Sequence, residues 1–278
     1  MWGLGEGVKH GAKAGTRLAA RLAAPMFRAP GGHNRVLTYH SIGTREHEMN
    51  VRPNQFRDQM RWLADNVRVI SMDDAANGAE GVAITFDDGF RDNIDNALPV
   101  LNELKLPGVI FVIAGMMGAQ FPNEIAPDRA PLMTWDDARD AERAGMMIGG
   151  HSLTHPRLSL LSEAEQRSEI GECARMLRDE LGERPRGFAY PYGSLLDYNE
   201  LSIRAARDAG FAYACSNRYG WNVATTDRWA LRRIWIDRTD TLKSFTAKVE
   251  GRLDALALLD NATGIRARRM LNTALRLR

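Results

Sequence analysis

Two adjacent carboxylates, Asp87 and Asp88 in GVAITFDDGFRDN (residues 81–93), and two histidines four apart, His151 and His155 in GGHSLTHP (149–156), are the residues best placed to do chemistry. Side-by-side carboxylates repel, and the pair becomes favourable when a cation binds one and the other handles a proton. Histidines at this spacing present both imidazoles to one centre when the residues between them turn. Pro156 disfavours helix at His155, so the second pair belongs to a turn after a strand. Two imidazoles and one carboxylate make a three-ligand set with open positions for water, as catalytic zinc sites have. Each motif alone has an ordinary alternative, Asp-Gly as a turn and the histidines as surface loop residues. Their common placement at strand ends argues for one site.

The frame that positions them is an alternation of strand-like and helical patterns. Strand-like runs occur as RVLTY near 36, VRVIS near 67, VAITF near 82, GVIFVI near 108, MMIGG near 146, GFAY near 187, FAYAC near 211 and WALRRI near 229. A repeat of this kind predicts a parallel sheet or barrel, whose ligands bind at the carboxyl ends of the strands. Ser162 with Glu165 forms a capping box opening a helix with an apolar stripe of Ile170, Cys173, Leu177 and Leu181, and Gly182 stops it. Thr134 with Asp137 opens another helix. It follows a connection from Gly115 to Pro131 that exceeds the usual loop length and suits a lid or substrate wall.

With 278 residues and 44% hydrophobic content, the chain can bury one large core. TFDDG, HSLTH and FAYPYG, in that order and at these strand ends, resemble the motifs of the polysaccharide deacetylases, carbohydrate esterase family 4, in the nodulation-factor deacetylase homology group; the third motif resembles that of a subgroup. The resemblance covers roughly residues 35–240. It implies an α/β fold, a distorted (β/α) barrel of about seven strands, and hydrolysis of an N-acetyl group on an amino sugar. Carried over by motif, it implies Asp88, His151 and His155 as ligands of a divalent metal ion, with zinc first and cobalt, nickel or manganese as alternatives. It further implies Asp87 as the general base, and Tyr190, Pro191 and Tyr192 as a far wall where the Tyr192 N–H helps stabilise an oxyanion.

The chain departs from the family pattern at two points. An Arg that orients the base is expected two residues before the motif's Pro, where Ala189 stands, and no histidine follows His155 to protonate the leaving amine. His40, ending the first strand in RVLTYHSIG, takes the general-acid role by resemblance to relatives that open with a similar Tyr-His. Arg91 and Arg233 are the candidates for the missing Arg.

The net charge of +2 is unevenly distributed: residues 1–34 carry five Lys or Arg against Glu6, and residues 261–278 carry five Arg and no acid. The expected organisation is a basic helical extension over 1–34, a barrel over 35–260 and a basic amphipathic helix over 261–278. Ala267, Met270, Leu271, Ala274 and Leu275 form an apolar stripe on that last helix, with Arg266, Arg268, Arg269 and Arg276 largely away from it. Lys9, Lys13, Arg17 and Arg21 recur every four residues near the other end. Such ends suit packing on the barrel, a dimer contact, or adsorption to an anionic membrane surface. Nucleic acid is not an expected partner, because the acidic body would repel a phosphate backbone. Two cysteines give neither a disulfide framework nor metal-ligand spacing, and no apolar run reaches the roughly 18 residues of a membrane span. The expected location is therefore the cytoplasm, peripherally on the inner face of the membrane where the ends adsorb. The function expected is removal of N-acetyl from a glycan or glycolipid intermediate of envelope polysaccharide synthesis. A deformylase or other linear-amide hydrolase, and a non-catalytic carbohydrate-binding scaffold, are the alternatives.

Overall fold

The computed structural model describes residues 29–121, 130–182 and 186–276. Most of the expected N-terminal extension, with its Lys9 to Arg21 stripe, lies outside the described residues, as does the middle of the loop after Gly115. In chain order the elements are β1 (Asn34–Tyr39), β2 (Ser41–Ile42), β3 (Asn50–Val51), α1 (Pro53–Asn66), α2 (Met72–Ala76), β4 (Gly81–Phe86), α3 (Leu98–Leu104), β5 (Val109–Val112) and α4 (Trp135–Arg143). They continue as β6 (Met147–Gly150), α5 (Glu163–Leu181), β7 (Gly187–Ala189), α6 (Glu200–Ala209), β8 (Tyr213–Cys215), β9 (Ile234–Trp235), α7 (Leu242–Val249) and α8 (Ala262–Arg276).

Seven strands form one sheet in the order β8-β7-β6-β5-β4-β1-β9, with β2 and β3 as a separate pair. Every neighbouring pair of the sheet is parallel. The segment from Leu231 to Ile236 reaches both edges: Leu231 bridges to Cys215, while Ile234 and Trp235 pair with Leu37 and Thr38. The expected (β/α) barrel is therefore present, closed by this short stretch instead of by a full strand.

Alternation along the strands divides the core. Leu37, Tyr39, Ile84 and Phe86 pack among helix residues such as Phe56, Met60, Val100 and Leu101. Val36, Ala83, Val109, Phe111, Ala189, Tyr213, Cys215 and Leu231 form a second cluster enclosed by the sheet. Both predicted capping boxes are formed, at Thr134/Asp137 and Ser162/Glu165, and Gly182 ends α5 in the left-handed conformation at φ 74°. On α5, Ile170, Cys173 and Leu177 are fully buried, and burying an Ile or Leu side chain contributes about 1.5–3 kcal/mol.

Two sequence expectations need correction. VRVIS is not a strand; α1 ends at Asn66 and Ser71 already caps α2, leaving room only for the bridge between Val69 and Val82. Helix α8 exists, but Ile265 (4% exposed) and Arg269, one turn apart, face the body, while Met270 of the predicted apolar stripe is 73% exposed. An ion pair from Arg269 to buried Asp197 selects that face.

Candidate active site

Strand register brings the motifs to one rim. The β1–β4 pairing ends at Tyr39 opposite Phe86, and the next amide, Asp87 N, donates to Tyr39 O at 2.9 Å. The β5–β6 pairing ends at Val112 opposite Gly150, and His151 N donates to Val112 O at 2.8 Å. Asp87 and His40 thus continue the inward-facing rows of their strands. Asp88 would point outward if its strand ran on; instead it adopts φ 72°, followed by Gly89 at φ 72°, and the chain turns. A side chain at Gly89 would also stand 3.1 Å from Val112. Among the described residues, five non-glycine positions have positive φ, and four belong to this rim: Asp88, Ser152, His155 and Tyr192. Each such conformation costs on the order of 1–3 kcal/mol.

Asp88, His151 and His155 offer ligand atoms that all lie within 4.8 Å of one another. Asp88 Oδ1 is 3.4 Å from His151 Nε2 and 3.3 Å from His155 Nε2. His151 Nδ1 lies 2.7 Å from Ala189 O, a contact that assigns the hydrogen to Nδ1 and leaves the Nε2 lone pair facing Asp88. Both carboxylate oxygens of Asp88 are buried without a hydrogen-bond partner. Orphaned acceptors of this kind call for a cation, so the residues present fit a divalent ion. Burial would raise the Asp88 pKa, but the imidazoles of His151 and His155 beside it outweigh that and bring it down to about 2. Burial lowers His155 to about 4, keeping its imidazole neutral and available as a ligand. Two imidazoles and a carboxylate suit zinc and its neighbours cobalt and nickel.

Beside this triad Asp87 is fully buried and held by a fork: Arg233 Nη1 and Nη2 donate to its two oxygens, each at 2.7 Å. Arg233 also donates from Nε to Ser216 O at 2.9 Å and from Nη1 to Thr85 Oγ1 at 3.3 Å. Burial alone would raise the Asp87 pKa; Arg233 outweighs it and holds the carboxyl below its usual value. Arg233 therefore occupies the place of the missing motif Arg, while Arg91 bonds Asp137 and Asp95 away from the site. A charged residue inside a strand-like run, LRRI, was the available signal.

His40 follows β1 on the same rim. Its carbonyl accepts from Asn93 Nδ2 at 2.7 Å, and its ring lies 5.8 Å from that of Trp235. Burial holds its pKa below the ordinary imidazole value, and the charges of Asp88 and Asp87 offset this only in part.

Of the residues expected to form a wall, Tyr192 reaches the rim, its ring lying 4.8 Å from that of His155. Pro191 is buried beside it. The Tyr190 side chain is a correction. Its position alternates outward, so it stacks on Tyr198 at 4.2 Å, donates to Trp229 O at 2.9 Å and belongs to the helix-side core. The described ends of the long loop do reach the rim, where Phe121 meets the His155 ring at 5.9 Å and Phe90 at 5.1 Å. Two further supports had no sequence signal, since each is a charged residue among many. Glu169 on α5 accepts from Leu153 N, Thr154 N and Thr154 Oγ1 at 3.0, 2.9 and 2.6 Å, pinning the turn between the histidines. Arg157 places its guanidinium 3.8 Å from the Tyr192 ring centroid.

Comparison with known proteins bears on the family and the fold. The profile of a family described as polysaccharide deacetylase matches residues 74–214. YxkH of Bacillus subtilis (strain 168), named as a polysaccharide deacetylase, is 25% identical over 224 residues, covering 77% of this chain and 75% of that protein. The peptidoglycan-N-acetylglucosamine deacetylase of Bacillus cereus is 29% identical over 153 residues, 54% of this chain and 47% of that one. The poly-beta-1,6-N-acetyl-D-glucosamine N-deacetylase of Escherichia coli (strain K12) is 21% identical, covering 79% of this chain and 39% of that one. The chain thus spans less than half the length of the last two. The solved Streptococcus pyogenes deacetylase PplD, in complex with acetate, superposes with a TM-score of 0.68 at 21% identity over 78% of this chain and 98% of its own. IcaB from Ammonifex degensii gives 0.68 at 22% over 79% and 98%.

Proposed function

The chain belongs to the polysaccharide deacetylase family and is a hydrolase of N-acetyl amide bonds, and from that premise we propose that it removes N-acetyl groups from an amino-sugar glycan or glycolipid with the help of a divalent ion. The observation that carries the metal dependence is the buried, unpartnered Asp88 carboxylate facing two imidazole nitrogens. An ion held by Asp88, His151 and His155 would supply Lewis acidity toward the acetyl carbonyl.

The remaining work falls to the chain's own groups. Asp87, kept ionised and oriented by Arg233, accepts a proton from the attacking water. His40 stands on the same rim to protonate the departing amine nitrogen as the amide C–N bond breaks, giving acetate and a free amino sugar. The Tyr192 N–H and ring, with Pro191, bound the acyl group. The buried, unpaired Cys173 and Cys215 support a reducing compartment, and the outward Ala267 and Met270 on α8 support contact with an anionic inner leaflet.

The test is release of acetate. Purified protein loaded with Zn²⁺, Co²⁺, Ni²⁺ or Mn²⁺ is offered lipid-linked, nucleotide-linked and polymeric N-acetyl sugars. Acetate release that a chelator stops and added metal restores is expected. Tight metal binding with no acetate from any substrate would refute the activity, and metal-independent release would refute the role given to Asp88.

A further inference from the structure

Helix α8 lies beyond residues 74–214 matched by the family profile, yet it is wired to the rim of the site. Arg269 Nη2 donates to Asp197 Oδ1 at 2.6 Å and to Ser194 Oγ at 3.0 Å. Asp197 is 1% exposed, and the same Oδ1 is paired with Arg157 Nη1. Its Oδ2 accepts from Ser194 N at 3.0 Å and from Ser194 Oγ. Arg157 in turn stands over Tyr192, its Cζ 3.8 Å from the ring centroid, and that ring meets His155. A buried carboxylate facing one guanidinium would pull Arg157 towards itself and down from the ring; two guanidinia divide its charge and fix its plane. Arg157 is two residues from His155 and Ser194 two from Tyr192, so both motif turns end on this one carboxylate.

We propose that Arg269 is a positioning residue of the deacetylation reaction: through Asp197 and Arg157 it holds the Tyr192 ring against His155, making α8 part of the wall against which substrate is seated. The proposal rests on the deacetylase function proposed above. Tyr192 has a left-handed backbone, so its loop needs external restraint to stay on the rim, and α8 supplies part of it. Loss of Arg269 lets the ring leave His155 without touching the metal ligands or Asp87.

The experiment compares the full chain with Arg269→Ala, Tyr192→Leu and the double variant, with Met270→Ala as a control on the exposed side of α8. On a soluble N-acetyl substrate, Arg269→Ala should lower kcat/KM by about 2- to 30-fold, the range for residues acting through a contact network. Metal content should be unchanged, and Met270→Ala should match wild type. Once Tyr192→Leu has removed the ring, Arg269→Ala should have almost no further effect. A second readout needs no turnover: the ring protons of His155, shielded by Tyr192, should shift in the NMR spectrum of Arg269→Ala in the direction that Tyr192→Leu shifts them. Arg269→Gln, which keeps a donor but not the charge, is carried in parallel in case the alanine variant does not fold. Additive kinetic losses, or an unmoved His155 resonance in a folded Arg269 variant, would overturn the proposal. Absence of acetate release from wild type would instead refute the deacetylase function, and the NMR comparison would still decide the role of Arg269.

Discussion

Replacing Arg233 with Met should expose how much of the barrel rests on one buried charge pair. Asp87 and Arg233 are both essentially inaccessible to solvent, and the guanidinium makes four hydrogen bonds, two of them to Asp87. Methionine fills most of the space but leaves the carboxylate buried without its counter-charge. Breaking a buried pair from one side costs about 3–5 kcal/mol, a large part of the 5–15 kcal/mol typical of a domain. Asp87→Asn removes the stranded charge, so the double variant Asp87→Asn/Arg233→Met should regain part of what the single variant loses. The pH dependence has a definite sign. In wild type the Asp87 pKa is below its ordinary 3.8, so its ionisation adds stability above that value and loses it as pH falls through the folded pKa. Without Arg233, burial raises the folded pKa, and ionisation costs stability above it. The deficit of Arg233→Met should therefore be largest near neutral pH and shrink below about pH 4. Urea unfolding of metal-free protein at several pH values, followed by circular dichroism, measures each quantity. A deficit below about 1 kcal/mol, or one that does not change with pH, would refute the reasoning.

Asp88→Ala, His151→Ala and His155→Ala should each lose bound metal and activity together, whereas Asp87→Asn should keep the metal and lose turnover; equal metal loss in Asp87→Asn and Asp88→Ala, measured by elemental analysis, would show the two roles wrongly divided. His40→Ala should retain metal and lower kcat by roughly 10²–10⁴, the range for losing a general acid, and a drop under tenfold would remove it from the mechanism. Adding Zn²⁺ at about 100 times its Kd should stabilise the folded protein by about 2.7 kcal/mol, read as an upward shift in Tm that Asp88→Ala does not show.

The parts legible in the sequence were those governed by local rules. Strand runs bounded by turn residues gave β1, β4, β5 and β6, and reciprocal capping gave the starts of α4 and α5. The triad was readable because its ligands follow two strands in short motifs. What escaped depends on contacts between distant segments. Arg233 could be named only as one of two candidates, because it meets Asp87 across 146 residues of chain. Glu169 acts on a turn 15 residues away in the chain. Tyr190 was misplaced because motif adjacency suggested one wall, whereas strand alternation sends neighbouring side chains to opposite faces. The face α8 turns inward was hidden for a similar reason: a helix's apolar stripe gives no weight to a buried aspartate waiting elsewhere.

The closing stretch from Leu231 to Ile236 touches both edges of the sheet, and Arg233 lies in its middle. Until that stretch docks, the end of β4 carries Asp87 and Asp88 side by side without the Arg233 guanidinium, and burying Asp87 there is costly. Docking delivers the guanidinium to the interior in the same step that ties the first strand to the last. Catalytic readiness and topological completion are then one event. A lesion that loosens the seam therefore also loosens the group that orients the base.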